Sequence, residues 1–471
     1  MGRGTSEVKD KDLDAADHPD LSSSPESDDA ARERNEMGGF KDACWAELCA
    51  IADGSGQAPE SGGNIAVGFR IRPPRAVESA DMEPCVFSVG KEISIVKPGS
   101  AEGEHTFAYD CTFDGESRQF DVFKALGWPC VRNAWIGFNI SIFAYGQTGS
   151  GKSHSMMGTE DNPGLIRSTG NLIFDFLARS GFGGGVSISC IEIYNEQIRD
   201  ILAPFMEKGG PVGIPSNRLS IIRSAVRVAK ALGVTSTASN LKIRETAGKG
   251  VYVEGLCSCP VGSTDELSQC INGATDNREV RATNMNATSS RSHLIFMVEL
   301  EVPGAAPEGG GNGGADGATE PAGGRRRSSF MPSMFGSKAG GGGGGATRRA
   351  KMNLIDLAGS ERSKATGATG QSLKEGANIN KSLSTLGRVI AALSSPGSKQ
   401  MPPFRDSKLT HILKDALAGN SVTSMLATAH ASAVYYEETL STLRYASSIK
   451  KIKTSAAQVL LRLRFLFFSY C

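Results

Sequence analysis

Residues 1–61 of the 471-residue chain carry Asp, Glu, Ser and Gly with few apolar positions and no sustained period. Such a stretch buries too little apolar surface to offset the cost of ordering. Disorder is therefore expected there, with a short local helix around Trp45, Leu48 and Cys49. Regular patterning begins at Asn64-Ile-Ala-Val-Gly-Phe-Arg-Ile71, which reads as a strand. From there to Lys453, strand-like apolar runs alternate with helix-like segments, the signature of an α/β domain. Ile140-Ser-Ile-Phe-Ala-Tyr145 is short and almost continuously apolar, as a buried strand would be. Ser372–Leu393 reads as a helix: Ile379, Leu383, Leu386, Ile390 and Leu393 recur at three- and four-residue steps on one face, and Lys381, Ser384 and Arg388 fall elsewhere. Two stretches break the pattern. Ala203–Asn240 has little periodicity, and Pro303–Arg349 is Gly-rich, with an unbroken run from Gly340 to Gly345, and reads as a flexible loop. There is no internal repeat and no sustained heptad.

Composition adds limits. Hydrophobic residues make up 39% of the chain, enough for a sizeable core, and the net charge of +1 means that attraction to a polyanion must come from a local patch. The ten cysteines form no CxxC pair, which suits free thiols in a reducing compartment. The acidic N-terminus has no signal-peptide core, and the apolar stretch Val459–Phe468 is short and interrupted by arginines. The reading is a cytosolic protein, with neither membrane nor nucleic acid as a partner.

The chemistry is concentrated in a few motifs. Gly146-Gln147-Thr148-Gly149-Ser150-Gly151-Lys152-Ser153 fits G-x-x-x-x-G-K-[ST] and directly follows the apolar run Ile140–Tyr145, as a phosphate-binding loop requires. Its glycines let backbone N–H groups turn inward around phosphate oxygens. Lys152, expected as a solvent-facing loop charge, supplies a cation for the β- and γ-phosphates, and the Ser153 hydroxyl can ligate Mg²⁺. The helix starting near Gly151 would aim its positive end at the same phosphates. A second acid on a neighbouring strand must organise the metal, and Asp356 ends the apolar strand of Met352-Asn-Leu-Ile-Asp-Leu-Ala-Gly359-Ser-Glu361. Gly359 there offers a backbone N–H for close approach to a γ-phosphate.

The motifs converge on one family. Gly146–Ser153, Asn286-Ala-Thr-Ser-Ser-Arg291-Ser-His293 and Asp356–Glu361 resemble the phosphate loop, switch I and switch II of kinesins, in the family's order. Lys374–Leu383, Arg405-Asp-Ser-Lys408-Leu-Thr410 and Glu438–Ala446 are also similar to kinesin sequence, and the wording leans towards the N-terminal-motor transport kinesins of the third subfamily. The resemblance, over Asn64 to about Lys453, implies a phosphate-loop NTPase motor fold: an α/β domain with a mostly parallel central sheet flanked by helices on both faces. It implies Mg²⁺-dependent ATP hydrolysis stimulated by microtubules and coupled to movement on them.

The resemblance also implies roles. Arg70, Arg72 and Pro73 match the adenine-side motif, with Arg70, Pro73 and His154 around the base. Ser289 and Ser290 would close on the γ-phosphate, with Ser290, Ser153 and, through water, Asp356 near Mg²⁺. Arg291 and Glu361 match the ion pair that latches the switches, the hydrolytic water relays its proton towards Glu361, and Asn286 supports that network. Lys381, Arg388, Arg405 and Lys408 match positions that face tubulin, whose acidic surface would make docking salt-sensitive.

Three departures stand out. The loop before Pro402 holds only Lys399, Ala203–Asn240 is longer than usual, and the Gly-rich loop carries Arg325-Arg-Arg-Ser328-Ser329, similar to a basophilic kinase site. The lysine-valine-aspartate finger of depolymerising kinesins is missing from Val96–His105, and the intact catalytic set argues against a non-enzymatic microtubule binder. After Lys453, the segment Thr454–Cys471 lacks the Asn-containing pattern of a docking neck linker and is too short for a coiled coil, so a monomer that does not walk processively is expected.

Overall fold

The computed structural model describes residues 28–52, 55, 62–74, 78, 83–100, 103–181, 184–212, 241–246, 250–285, 289–303, 347–361, 371–395 and 401–461. Asn286, Lys399, Arg325–Ser329, most of the two long insertions and the end of the tail lie outside these residues.

The chain divides into two compact units, Met1–Glu47 and Leu48–Cys471. The helix Asp28–Ala52 runs through the C-terminal part of the first and ends in the second. It contains the short helix expected around Trp45, Leu48 and Cys49 but begins well before it, where the sequence reading expects disorder. Ala30, Ala31, Arg32, Glu33, Arg34 and Glu36 are strong helix formers, and a criterion based on apolar burial does not register that propensity.

The second unit is organised by one central sheet. Its main path uses β1 (Ala66–Arg72), β2 (Cys111–Phe113), β3 (Ile140–Tyr145), β4 (Gly185–Tyr194), β5 (Cys259–Val261), β6 (His293–Pro303), β7 (Thr347–Asp356) and β8 (Val422–His430). Their spatial order is β5-β4-β6-β7-β3-β8-β1-β2. The pairings β7–β3, β3–β8, β8–β1 and β1–β2 are parallel, whereas β5–β4, β4–β6 and β6–β7 are antiparallel. The sheet is thus mixed, and its parallel part is confined to the half that carries the phosphate loop. β6 and β7 pair antiparallel in register from Leu294↔Asp356 to Pro303↔Thr347, so the Gly-rich insertion replaces the turn of a long hairpin.

All six residues of β3 are buried, which is why its sequence does not alternate. Phe143 and Tyr145 face a core shared with Leu383, Leu386, Val389 and Ile390 of the helix Gln371–Ser394 and with Leu440, Leu443 and Ala446 of the helix Tyr436–Ile449. The opposite face carries the helix Trp128–Trp135, and Trp135 meets Phe176 of the helix Leu165–Ser180 edge-on at 5.5 Å. Among the described residues no helix is long and apolar enough to cross a membrane, and the nine described cysteines are free thiols.

The chain beyond the last helix follows the core, although its sequence lacks the asparagine expected of a docking linker. Lys453–Ser455 pairs antiparallel with Gly62–Asn64, Val459 N–H donates to the Gly137 carbonyl at 2.8 Å, and Leu460–Leu461 pairs with Thr347–Arg348. Side chains of the core hold it as well: Asn420 Oδ1 accepts from the Ala457 N–H, and Asn139 Nδ2 donates to the Asn420 carbonyl at 3.2 Å.

Candidate functional site

Parallel strands bring their C-terminal ends to one edge of the sheet. Asp356 of β7 stands opposite Ala144 of β3, and His430 of β8 opposite Arg72 of β1. The loop Gly146–Gly151 leaves β3 at this edge and enters the short helix Lys152–Met156. Gly151, at the helix N-cap, has φ 100°, which an L side chain rarely adopts. Gly146 is required by proximity, since an added Cβ would overlap the Thr428 carbonyl.

Lys152 is not the solvent-facing charge expected from the motif. Its side chain is 6% exposed, and Nζ donates to the carbonyls of Gly146 and Gln147, both at 2.8 Å. Burial lowers its pKa, opposed by the carboxylates of Asp356 and Glu361. The ammonium holds the loop's own shape, because a buried cation must find acceptors.

Ser153 Oγ donates to Asp356 Oδ2 at 2.6 Å. Asp356 is 1% exposed, and its Oδ1 is a buried oxygen with no hydrogen-bond partner among the described residues. An unspent carboxylate oxygen beside a serine hydroxyl is an oxygen donor set that suits a hard divalent cation.

The two switch segments meet directly. Gly359 N–H, expected to approach a γ-phosphate, donates here to the Ser290 carbonyl at 2.9 Å, and Ser360 N–H donates to the Gly146 carbonyl at 3.0 Å. Glu361 Oε2 accepts from the Thr148 N–H at 2.8 Å, and its Oε1 accepts from the Thr148 hydroxyl. Gly359 fits because any side chain there would collide with Glu361 and Thr148. Ser289, Ser290 and Arg291 form a 3₁₀ turn just before β6.

On the adenine side, Arg70 is 7% exposed and spent internally. It donates to Gln119 Oε1 at 2.7 Å, Ser155 Oγ at 2.9 Å and the Ser117 carbonyl at 3.1 Å. Its guanidinium therefore ties β1 to the phosphate-loop helix and does not lie open to a base. Arg72 pairs with Glu78 Oε2 at 2.5 Å, and its aliphatic stem lies over Gly151. His154 is exposed at the loop helix, where partial desolvation of its ring and the nearby Arg70 lower its pKa, and Pro73 is exposed against Gly115.

Arg278 is a site residue the sequence reading missed. It is 7% exposed on the helix Thr264–Met285. Its guanidinium lies 3.7 Å from Asp356 Oδ2 and 4.0 Å from Glu192 Oε1, and it donates to the Ser292 carbonyl at 3.2 Å. Nothing local distinguishes it from Arg281 on the same polar helix.

The predicted track-facing cations share one surface. Lys381 and Arg388 are exposed on the helix Gln371–Ser394, Arg405 is exposed in the loop beyond it, and Lys408 is half-buried. Two are already paired. Arg388 Nη2 meets Asp406 Oδ2 at 3.0 Å, and Arg405 Nη2 meets Glu245 Oε2 at 3.4 Å. Glu245, on the hairpin Ile243–Thr246/Gly250–Val253, also takes Lys414 Nζ.

This edge defines a phosphate-loop nucleotide-binding α/β protein with two loops that meet over the phosphate site. The family model described as the kinesin motor domain matches residues 70–452, and the chain belongs to the kinesin motor domain family. It is 36% identical over 420 residues to kinesin-related protein 1 of Dictyostelium discoideum, covering 83% of this chain and 16% of that protein. It is 37% identical over 415 residues to human kinesin-like protein KIF13B, covering 83% of this chain and 19% of that one. The chain thus spans under a fifth of the length of these two relatives. Among solved structures, a KIF14 motor dimer with AMP-PNP in complex with a microtubule matches with a TM-score of 0.65 and 31% identity, over 84% of this chain and 96% of that one. A fast kinesin matches with a TM-score of 0.65 and 32% identity, over 86% and 97%.

Proposed function

We propose that the chain is a microtubule-stimulated ATPase that couples ATP hydrolysis to microtubule binding and movement. The observation that carries this reading is the meeting of both switch segments at the phosphate loop: Gly359 N–H on the Ser290 carbonyl and Glu361 on Thr148. A γ-phosphate that takes the Gly359 amide must displace Ser290, so nucleotide state and switch position are exclusive alternatives at one donor. Lys152 and the loop amides bind and orient the phosphates. Glu361, freed from Thr148, is the group placed to accept a proton relayed from the attacking water. Ser153, Asp356 and Ser290 are the residues that would hold Mg²⁺, which when bound neutralises phosphate charge. Arg291 would latch Glu361 when the switches close.

The exposed cations Lys381, Arg388 and Arg405, with the half-buried Lys408, suit the acidic surface of tubulin, and microtubule association would place the protein on the cytoskeleton in the cytoplasm. The test is steady-state ATP turnover with and without microtubules. A clear rise with microtubules is expected; turnover that does not respond to them would overturn the reading.

A further inference from the structure

His293 begins β6 and is 2% exposed, yet it touches two other elements. Its Nδ1 accepts from the Ala358 N–H at 2.9 Å. Its Nε2 lies 2.8 Å from Ser382 Oγ. A backbone amide can only donate, so Nδ1 carries no proton; the proton sits on Nε2 and is donated to Ser382. Ala358 lies between Asp356 and Gly359, the segment that answers to phosphate. Ser382 is 2% exposed on the inner side of the helix Gln371–Ser394, next to the outward Lys381.

We infer that His293 is a positioning residue that couples the phosphate-sensing segment to the track-facing helix through these two hydrogen bonds. The inference rests on the microtubule-ATPase reading. The buried ring is a rigid spacer with one acceptor and one donor. A shift of Ala358, as Gly359 exchanges Ser290 for phosphate, reaches Ser382 through an imidazole that cannot change roles without breaking one bond. Burial, with Arg278 and Lys152 nearby, keeps the ring neutral and so preserves that single tautomer. Coupling in the reverse direction follows from linkage: a helix held by tubulin biases the position of Ala358.

Ser382→Ala removes the acceptor at Nε2 without touching the phosphate site. His293→Asn keeps an oxygen near the Nδ1 position, able to accept from Ala358, and loses the reach to Ser382. Basal turnover, microtubule-stimulated turnover, nucleotide KM and melting temperature are measured for the parent chain and both variants. For Ser382→Ala the expected result is basal turnover within about twofold of the parent, with the stimulated-to-basal ratio down about tenfold. His293→Asn is expected to lose the same ratio while keeping nucleotide KM. Full stimulation in both variants, or a parallel fall of basal and stimulated turnover, would overturn the inference while leaving the motor reading intact. A parent chain that microtubules do not stimulate would overturn the motor reading, and this inference with it.

Discussion

Lys152 Nζ donates to the Gly146 carbonyl at 2.8 Å from a side chain that is almost fully buried. The lysine is thus part of the loop's folding as well as its chemistry. Lys152→Ala is expected to abolish nucleotide binding and also to lower stability, by about 1–3 kcal/mol, because two carbonyls lose a charged donor. Fluorescent-nucleotide titration and denaturant melts check the two effects separately. A variant that binds nucleotide normally would remove Lys152 from the site, and an unchanged melt would show that the loop holds its shape without it.

Half-buried Glu361 spends both carboxylate oxygens on the exposed Thr148. Little stability depends on that contact, so Glu361→Ala should fold and bind ATP as the parent does. Its turnover should fall by about 10²–10³, and the loss should appear in kcat, because the charge acts only once the switches have closed. Single-turnover kinetics with labelled ATP measure this. A kcat within a few-fold of the parent would take Glu361 out of the chemistry.

Much of this site was legible in the sequence because a phosphate loop is a local motif. The spacing from Gly146 to Ser153, an apolar β3 before it and an acid at the end of a second strand suffice to place Ser153 against Asp356. Contacts made by residues outside a recognisable motif, or spent inside the fold, were not legible. Arg278 reaches Asp356 from a helix on which its spacing marks it no more than it marks Arg281, and Arg70 is consumed by Ser117, Gln119 and Ser155. Lys152 folds inward because only the three-dimensional loop offers it two carbonyls. The course of the tail was not legible for a similar reason: its partners, Asn420 and Gly137 among them, stand far back in the chain and no tail motif announces them. The mixed sheet follows from the β6–β7 hairpin, whose Gly-rich connection looks the same in sequence whether it closes a hairpin or a crossover.

Glu245 gathers Arg405 and Lys414 on the surface that the track-facing cations share, and those partners hold its pKa below the ordinary carboxylate value. On the proposed reading its carboxylate would compete with tubulin's acids for the same cations. Glu245→Gln is therefore expected to tighten microtubule binding about two- to fivefold and to steepen its salt dependence; exposed pairs are individually weak. Arg405→Ala should do the reverse and leave basal turnover unchanged. Co-sedimentation across a range of ionic strength reads both. Weaker binding by Glu245→Gln would mean that the glutamate positions the cations for tubulin and does not compete for them.

The last expectation concerns pH. Burial, with the positive charges of Arg278 and Lys152 nearby, lowers the pKa of His293 to about 3. In the unfolded chain the same ring has a pKa of about 6.5. At pH 7 the native ring is neutral and the unfolded one mostly so, and His293 contributes little pH dependence. As the pH falls below about 6.5, the unfolded chain takes up a proton that the native ring refuses, so stability is lost progressively until the native pKa is reached. The loss grows by about 1.4 kcal/mol per pH unit, or about 2 kcal/mol at pH 5. Protonation of Nδ1 would also break its bond from Ala358, which is the structural form of the same refusal. Carboxylates titrate in this range too, so the measurement is a difference. Denaturant melts of the parent and of His293→Asn are compared at pH 7 and pH 5. The variant, which has no ring to protonate, should lose about 2 kcal/mol less than the parent on acidification. Equal losses would mean that His293 accepts a proton in the folded state near its ordinary pKa, and that its neutral tautomer is not held by the fold.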